Sequence, residues 1–194
     1  MNTEDPDTGR VVAFPGGSAG SPRTVNIGEL FDQHAAYLVR VCIRLTGSRA
    51  AAEDIVQEVF ITAHRRQGDL LPDSNLRTWL YRVAVNLIRH HHRSSGRYGR
   101  FVDRYKVHES RVERPAPDVD IERMQRAQQV HACVQELSDK QREVFVLYEL
   151  EGMAGQDISE VLGIKLNTVW SRLRLARKAF REQWATQHGP EERQ

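Results

Sequence analysis

Apolar residues recur at intervals of three and four along most of the chain, which is the spacing of one face of an α-helix. In the N-terminal half this spacing predicts three helices, over residues 27–45, about 52–65 and about 76–93. Turn-forming residues interrupt the pattern between them. The inward positions, which form the predicted core of this half, are Ile27, Leu30, Phe31, Leu38, Val41, Cys42, Leu45, Ala52, Ile55, Val56, Val59, Phe60, Ala63, Trp79, Leu80, Val83, Ala84, Leu87 and Ile88.

The C-terminal half has the same helical spacing. Ser138 and Gln141, three residues apart, match a capping box that opens a helix. That helix is predicted to end at Gly152, and two more helices follow over residues 155–162 and about 166–184. No segment alternates apolar and polar residues with the period of two that is typical of a β-strand, so the sequence predicts an all-α fold without a sheet.

Three segments without helical spacing divide the chain. Residues 1–24 are rich in Gly, Pro and Ser and are predicted to be a disordered leader. A similar change of composition predicts a flexible linker over residues 94–120, and residues 187–194 are left as a tail. The sequence therefore predicts two small helical domains, over residues 25–93 and 121–186.

The composition is that of a soluble globular protein, with 40% apolar and 28% charged residues in a chain of 194. The net charge is only +2, so an argument for nucleic-acid binding depends on where the charges lie. Basic residues are concentrated over residues 77–106 and 165–182. Cys42 and Cys133 occupy apolar helical patterns, which indicates buried thiols in a reducing compartment. Without a signal peptide or a run of about 18 apolar residues, we expect a cytoplasmic protein with no direct membrane insertion.

The last two predicted helices have the spacing of a helix-turn-helix. Gly163 permits the sharp turn between them, and the second helix is apolar on one side and polar and basic on the other. The outward residues Asn167, Ser171, Arg174 and Lys178 suit a major groove, where side chains near the helix start reach base edges and the later ones reach phosphates. The alternative is an amphipathic terminal helix with a solvated basic face. The turn and the basic face occur together, which favours DNA binding.

The motifs of both halves resemble those of one family. Residues 137–180, which include "EGMAGQDISEVLGIKLNTVWSRL", resemble the C-terminal domain of bacterial sigma factors of the extracytoplasmic-function type. The segments "AEDIVQEVF" at 52–60 and "RTWLYRVAVN" at 77–86 resemble the promoter-melting domain of the same family. The motifs stand in the family's order with a linker between them. The resemblance implies a sigma factor that binds core RNA polymerase and directs promoter recognition and strand opening at a dedicated set of genes.

The resemblance also implies where polymerase docks. In the family the second helix contacts the clamp helices of the beta-prime subunit of RNA polymerase. On a helical wheel the face opposite the core includes an apolar residue among charges, which suits a protein contact better than a solvated surface. A simple acidic surface remains the alternative. The expected polymerase-binding residues are Asp54, Gln57, Glu58, Ile61 and Arg65.

The third helix and the loop before it resemble the part of the family that captures the unpaired minus-ten strand. Ser74 and Asn75 in the loop would hydrogen-bond an extruded base, and basic residues along the helix would follow the backbone. Trp79 lies on the apolar side, so core packing is favoured over base stacking. The expected minus-ten residues are Ser74, Asn75, Arg77, Arg82, Asn86, Arg89 and Arg93.

The last helix resembles the reader of the minus-thirty-five element. Three residues depart from the family pattern: Lys165 replaces a capping Ser, Trp170 replaces a basic residue and Leu175 replaces Arg. They alter the reading helix and hence the promoter sequence expected. The predicted contacts are Lys165, Asn167, Thr168, Trp170, Ser171, Arg172, Arg174 and Lys178.

Three consecutive histidines at 90–92 suggest a metal site, but adjacent helical residues point about 100° apart and cannot converge on one ion. They are interpreted as an extension of the basic end of the third helix. We expect no metal, cofactor or catalytic constellation.

Two other hypotheses remain, a one-component helix-turn-helix regulator and a metal hydrolase built on the His cluster. The resemblance further implies an anti-sigma factor, expected to insert between the two domains.

Overall fold

The computed structural model describes residues 25–70, 75–98 and 121–189. These residues form seven α-helices and no strand, which confirms the predicted all-α class. The predicted leader lies outside the described residues, as does the predicted linker from residue 99 onwards. The helices are α1 (Ile27–Thr46), α2 (Arg49–Arg65), α3 (Leu76–Tyr98), α4 (Ile121–Gln135), α5 (Asp139–Phe145), α6 (Gly155–Leu162) and α7 (Leu166–His188).

Local capping fixes the first helical hairpin. Asn26 precedes α1, and its Oδ1 accepts a hydrogen bond from the backbone N–H of Gly28 at 3.0 Å. Gly47 ends the helix with a φ of 73°, a left-handed conformation that favours glycine. Ser48 then caps α2. Because the connection is so short, α1 and α2 pack against each other as an antiparallel pair.

The N-terminal domain, α1 to α3, buries most of the apolar residues predicted to form its core. Leu38, Val41, Cys42, Val59 and Leu80 are almost completely inaccessible to solvent.

Two aromatic residues that were predicted to lie inward mark the edge of this core. Trp79 packs at the edge of the core, as the pattern favoured. Phe31 was predicted to lie in the core, and this prediction is wrong, because 48% of the residue is exposed. Its ring meets Phe60 edge to face at 4.8 Å between centroids, so it covers the rim of the core from outside.

The C-terminal domain, α4 to α7, forms around the apolar faces of α5, α6 and α7. The predicted capping box begins α5, and Gln141 Oε1 accepts from the Ser138 backbone N–H and hydroxyl at 3.3 and 2.8 Å. The helix was expected to reach Gly152, but α5 ends at Phe145 and continues as a π-helix over Val146–Leu150. Gly163, with a φ of 64°, makes the turn between α6 and α7.

The helices at the domain boundaries are longer than predicted. Helix α3 extends to Tyr98, into the segment predicted as linker. Helix α7 extends to His188, into the predicted tail. Neither segment offers apolar spacing of its own, so the periodic pattern underestimates both ends.

The two domains pack directly on each other. Helix α3 lies against α6, and α1 lies against α4 and α5. On the α1 side Arg44 pairs with Glu151, and Arg142 Nη1 donates to the carbonyl of Leu45 at 3.1 Å. The sequence predicted the two domains but not this seam between them.

Both cysteines are free and buried, as predicted. Burial raises the pKa of the Cys42 thiol to about 12, so this side chain stays protonated at neutral pH. None of the described helices is both long and apolar enough to cross a membrane.

Candidate polymerase and nucleic-acid interfaces

The outer face of α2 carries the residues predicted to meet polymerase. Asp54, Gln57 and Arg65 are exposed, and Glu58 is half-buried with its carboxylate 3.8 Å from Arg65 Nη1. Ile61 lies among them with 36% of its surface exposed. Ala52, Ile55, Val56 and Val59 hold the opposite side of α2 in the core, so this polar face with one apolar residue is fixed in place.

The start of α3 uses its predicted minus-ten residues partly for structure. Asn75 is exposed, and its Oδ1 accepts a hydrogen bond from the backbone N–H of Thr78 at 3.1 Å, so it caps the helix. Arg77 Nη2 donates to the hydroxyl of Tyr37 at 3.0 Å. The guanidinium of Arg77 also lies over the rings of Tyr37 and Tyr81, with its Cζ 5.2 and 5.6 Å from their centroids. Ser74 lies outside the described residues.

Further along α3, two of the predicted arginines contact the C-terminal domain. Arg82 Nε donates to the carbonyl of Glu160 at 3.0 Å. Arg89 Nε and Nη2 donate to the two carboxylate oxygens of Glu143, each at 2.7 Å, and this hydrogen bonding raises the pKa of Arg89. Its Nη1 donates to the carbonyl of Leu162 at 3.2 Å. Two of the α3 residues predicted to follow the DNA backbone are therefore partly covered by the C-terminal domain.

The remaining polar residues of α3 are accessible at its outer side. Asn86 and Arg93 are exposed. His92 is directed to the C-terminal domain, with Nδ1 3.4 Å from Asp139 Oδ2. In the described part of the chain, no group of three or more His, Cys, Asp and Glu side chains is arranged to hold a metal ion.

Helix α7 presents the predicted reading face to solvent. The core side is held by Val169, Leu173 and Ala176, all buried. Ser171 Oγ donates to the backbone carbonyl of Thr168 at 3.1 Å, which leaves its oxygen as an acceptor. The exposed members of the predicted set are Lys165, Asn167, Trp170, Ser171, Arg174 and Lys178, and the half-buried ones are Thr168 and Arg172.

Trp170 has neighbours that the sequence did not suggest. Its indole is 42% exposed and meets Tyr148 edge to face, with centroids 5.5 Å apart. A Cβ added to Gly155 would lie 2.5 Å from the indole atoms Cζ2 and Cη2. Trp170 therefore packs over the start of α6 while its outer edge stays on the reading face.

Sequence reasoning also missed the polar groups of the seam. Glu143 is only 7% exposed, and the side chain of Glu151 is 1% exposed. Buried carboxylates normally have a charged partner. An acidic residue at an inward helical position is therefore a signal, but it does not identify the partner.

Comparisons with known proteins identify the family of both halves of the chain. Residues 30–98 match Sigma-70 region 2, and residues 127–180 match Sigma-70, region 4. The RNA polymerase sigma-H factor of Pseudomonas aeruginosa is 32% identical over 83% of this chain and 86% of its own. The ECF RNA polymerase sigma factor SigL of Mycobacterium tuberculosis is 35% identical over 78% of this chain and 85% of its own.

A solved structure shares the fold. It contains the sigma factor RpoE in complex with the anti-sigma factor NepR, from Bartonella quintana. The similarity has a TM-score of 0.67 and 26% identity, and covers 80% of this chain and 94% of that one. The fold and the two matched regions define a sigma-70-type transcription initiation factor. The chain belongs to the extracytoplasmic-function sigma factors of bacterial RNA polymerase.

Proposed function

We propose that this chain binds core RNA polymerase through the outer face of α2. The observation that carries the proposal is Ile61, a large apolar residue exposed between Gln57, Glu58 and Arg65 on a helix whose other side is fully packed. An apolar contact within a polar rim is the usual composition of a protein interface. The clamp helices of the beta-prime subunit are the expected partner, by the resemblance of α2 to the family's docking helix.

The test is an Ile61→Glu substitution. It is expected to abolish co-purification with core polymerase and run-off transcription, because a charge replaces the apolar centre of the contact. The helical melting curve should stay close to that of the wild type, since Ile61 is outside the core. Leu175→Glu is the matched control: Leu175 is 48% exposed on the other domain and should leave co-purification unchanged. Equal loss of binding in both variants would contradict the assignment.

We further propose that α3 holds the melted minus-ten strand and that α7 reads the minus-thirty-five element. Asn86 and Arg93 are accessible on α3, and the basic outer face of α7 is accessible along its length. In this arrangement the protein acts in the cytoplasm, needs no cofactor and catalyses no reaction of its own. A one-component regulator is not favoured, because both matched regions are those of sigma factors.

An anti-sigma factor is the proposed regulator. A structural relative is bound to one in its solved complex. Pull-down from uninduced cells should recover a partner other than polymerase. Recovery of polymerase alone would contradict this part of the proposal.

A further inference from the structure

We infer that the cavity between α1 and α4 binds a single-chain amphipathic anion, an alkyl chain that ends in a carboxylate. The cavity has a volume of about 440 Å³, which lies within the usual range of small-molecule sites. Its walls come from the second half of α1, from α4 and from Leu150. None of its described lining residues belongs to α2, α3 or α7, so this site is separate from the surfaces proposed to bind polymerase and DNA.

The floor of the cavity is aliphatic. Val134 is buried, and Ile43, Val130 and Leu150 are half-buried against the hydrophobic core. Ala127, which is exposed on α4, completes the apolar surface. These side chains offer dispersion contacts to a hydrocarbon, but they leave a polar group without a hydrogen bond. The part of the ligand that lies on this floor is therefore an alkyl chain.

Guanidinium groups surround this floor. Arg44 lines the cavity and pairs with Glu151. Three further lining residues, Arg40, Arg123 and Arg126, are exposed. In the part of the chain that the structure describes, no acidic side chain forms an ion pair with any of these three. Positive charges around one apolar surface favour a ligand that is apolar along its length and negative at one end.

The lining favours an alkyl chain over a nucleotide. A nucleobase is normally held by stacking on rings and by hydrogen bonds to its edges. His131 carries the one ring among the described lining residues. The aliphatic floor would leave the polar edges of a base unpaired.

The size of the cavity disfavours a protein helix as its occupant. One helical turn, about 10 Å across and about 5.4 Å long, fills roughly 400 Å³, which is close to the volume of the whole cavity. Helices that dock in grooves are held by anchors spread over at least two turns. A single alkyl chain fits the available space better.

The experiment is a calorimetric titration of the full-length chain with decanoate below its micelle concentration. We expect saturable binding of one decanoate per chain. 1-Decanol has the same chain without the charge and should bind more weakly by about fivefold or more, because the basic rim no longer contributes. Hexanoate should bind more weakly by about tenfold or more, since each buried CH₂ group changes the affinity by up to about fourfold. Absence of saturable binding, or equal affinities for decanoate and 1-decanol, would overturn the inference.

Substitutions on α4 test whether the ligand occupies this cavity. Ala127→Phe adds a ring to the cavity wall from an exposed position and is expected to abolish decanoate binding while the helical melting curve stays close to that of the wild type. Ala132→Phe is the matched control, because Ala132 is exposed on the same helix and does not line the cavity. Equal loss of binding in the two variants would overturn the inference.

A double variant tests the basic rim. Arg123→Gln with Arg126→Gln removes two exposed charges and should weaken decanoate binding by about fivefold while leaving 1-decanol binding unchanged. Its result decides if Ala127→Phe fails to fold. Undiminished decanoate binding in the double variant, or in a folded Ala127→Phe variant, would overturn the inference.

Discussion

Gly155 and Trp170 occupy the same small space at the start of α6. A Cβ at position 155 would lie 2.5 Å from the indole, well inside van der Waals contact. Gly155→Ala is therefore expected to reduce the free energy of unfolding by about 1–3 kcal/mol, the usual range for overpacking. Urea unfolding of the full chain measures this. Gly68→Ala is the control, because nothing lies within 4 Å of a Cβ there.

A double substitution separates the clash from other effects of alanine. In a Trp170→Ala background the indole is gone, so adding Gly155→Ala should cost much less than it does in the wild type. Additive losses would show that the indole and the glycine are not in contact.

At the scale of one element, Arg142 holds the end of α4. Its guanidinium donates to the carbonyls of Val134 and Leu137, at 3.1 and 2.9 Å, and to Leu45 across the seam. Arg142→Ala leaves these acceptors without a donor and is expected to cost about 2–3 kcal/mol of stability. Arg142→Lys should recover little of the lost stability, because an ammonium cannot reproduce the planar set of donors of the guanidinium group. Urea unfolding of both variants checks this, and full recovery by Lys would contradict it.

The exposed face of α7 should divide into base-reading and phosphate-binding positions. Asn167 lies at the helix start, where base edges come within reach, and Asn167→Ala is expected to change which minus-thirty-five sequences are used, at about 1–3 kcal/mol on the preferred site. Lys178 lies about three turns further on, with Nζ 3.7 Å from Glu182. Lys178→Ala should weaken all promoters alike and lower the salt slope by about one unit or less.

Transcription from a promoter library randomised at the minus-thirty-five element measures both effects. If the two variants rescale every promoter by the same factor, Asn167 does not read bases.

The helices themselves could be predicted because each satisfies its own pattern. Apolar spacing and caps are local signals, and they located α1, α2, α6 and the start of α5. The change from α5 to the π-helix was not predictable, because a π-helix keeps the same apolar residues and differs only in which carbonyl each N–H meets. Phe31 was placed inward because spacing gives a face but not the edge of the core.

At the scale of the whole molecule, the seam between the domains decides how much of the candidate site is accessible. The sequence identified Arg82 and Arg89 as basic residues of α3. It could not reveal that Glu143, 54 residues further on, would pair with Arg89. Such long-range pairs depend on tertiary packing, whereas the candidate residues of α2 and α7 follow from helical position alone.

The seam also makes stability depend on pH. His131 is half-buried, and burial together with Arg142 and Arg44 lowers its pKa from 6.5. The unfolded chain then binds more protons than the folded one below about pH 6.5, so stability falls as the pH drops towards the lowered pKa. Urea unfolding near pH 7.5 and pH 5.5 should show this loss, and His131→Gln should reduce it.

Part of the loss of stability at low pH should persist in the His131→Gln variant. His34 also has a lowered pKa, because of burial and Arg77. An unchanged pH dependence in His131→Gln would place the effect elsewhere.

The order of the chain gives the α3 contact a consequence during translation. Arg82 and Arg89 leave the ribosome before Glu143 and α6, which lie more than fifty residues downstream. Domains fold in that order as synthesis proceeds. For this interval the nascent chain carries a completed basic helix with nothing to cover it, beside the RNA of the ribosome and the message. Chains that terminate early, before α5, would keep that helix uncovered for as long as they survive proteolysis.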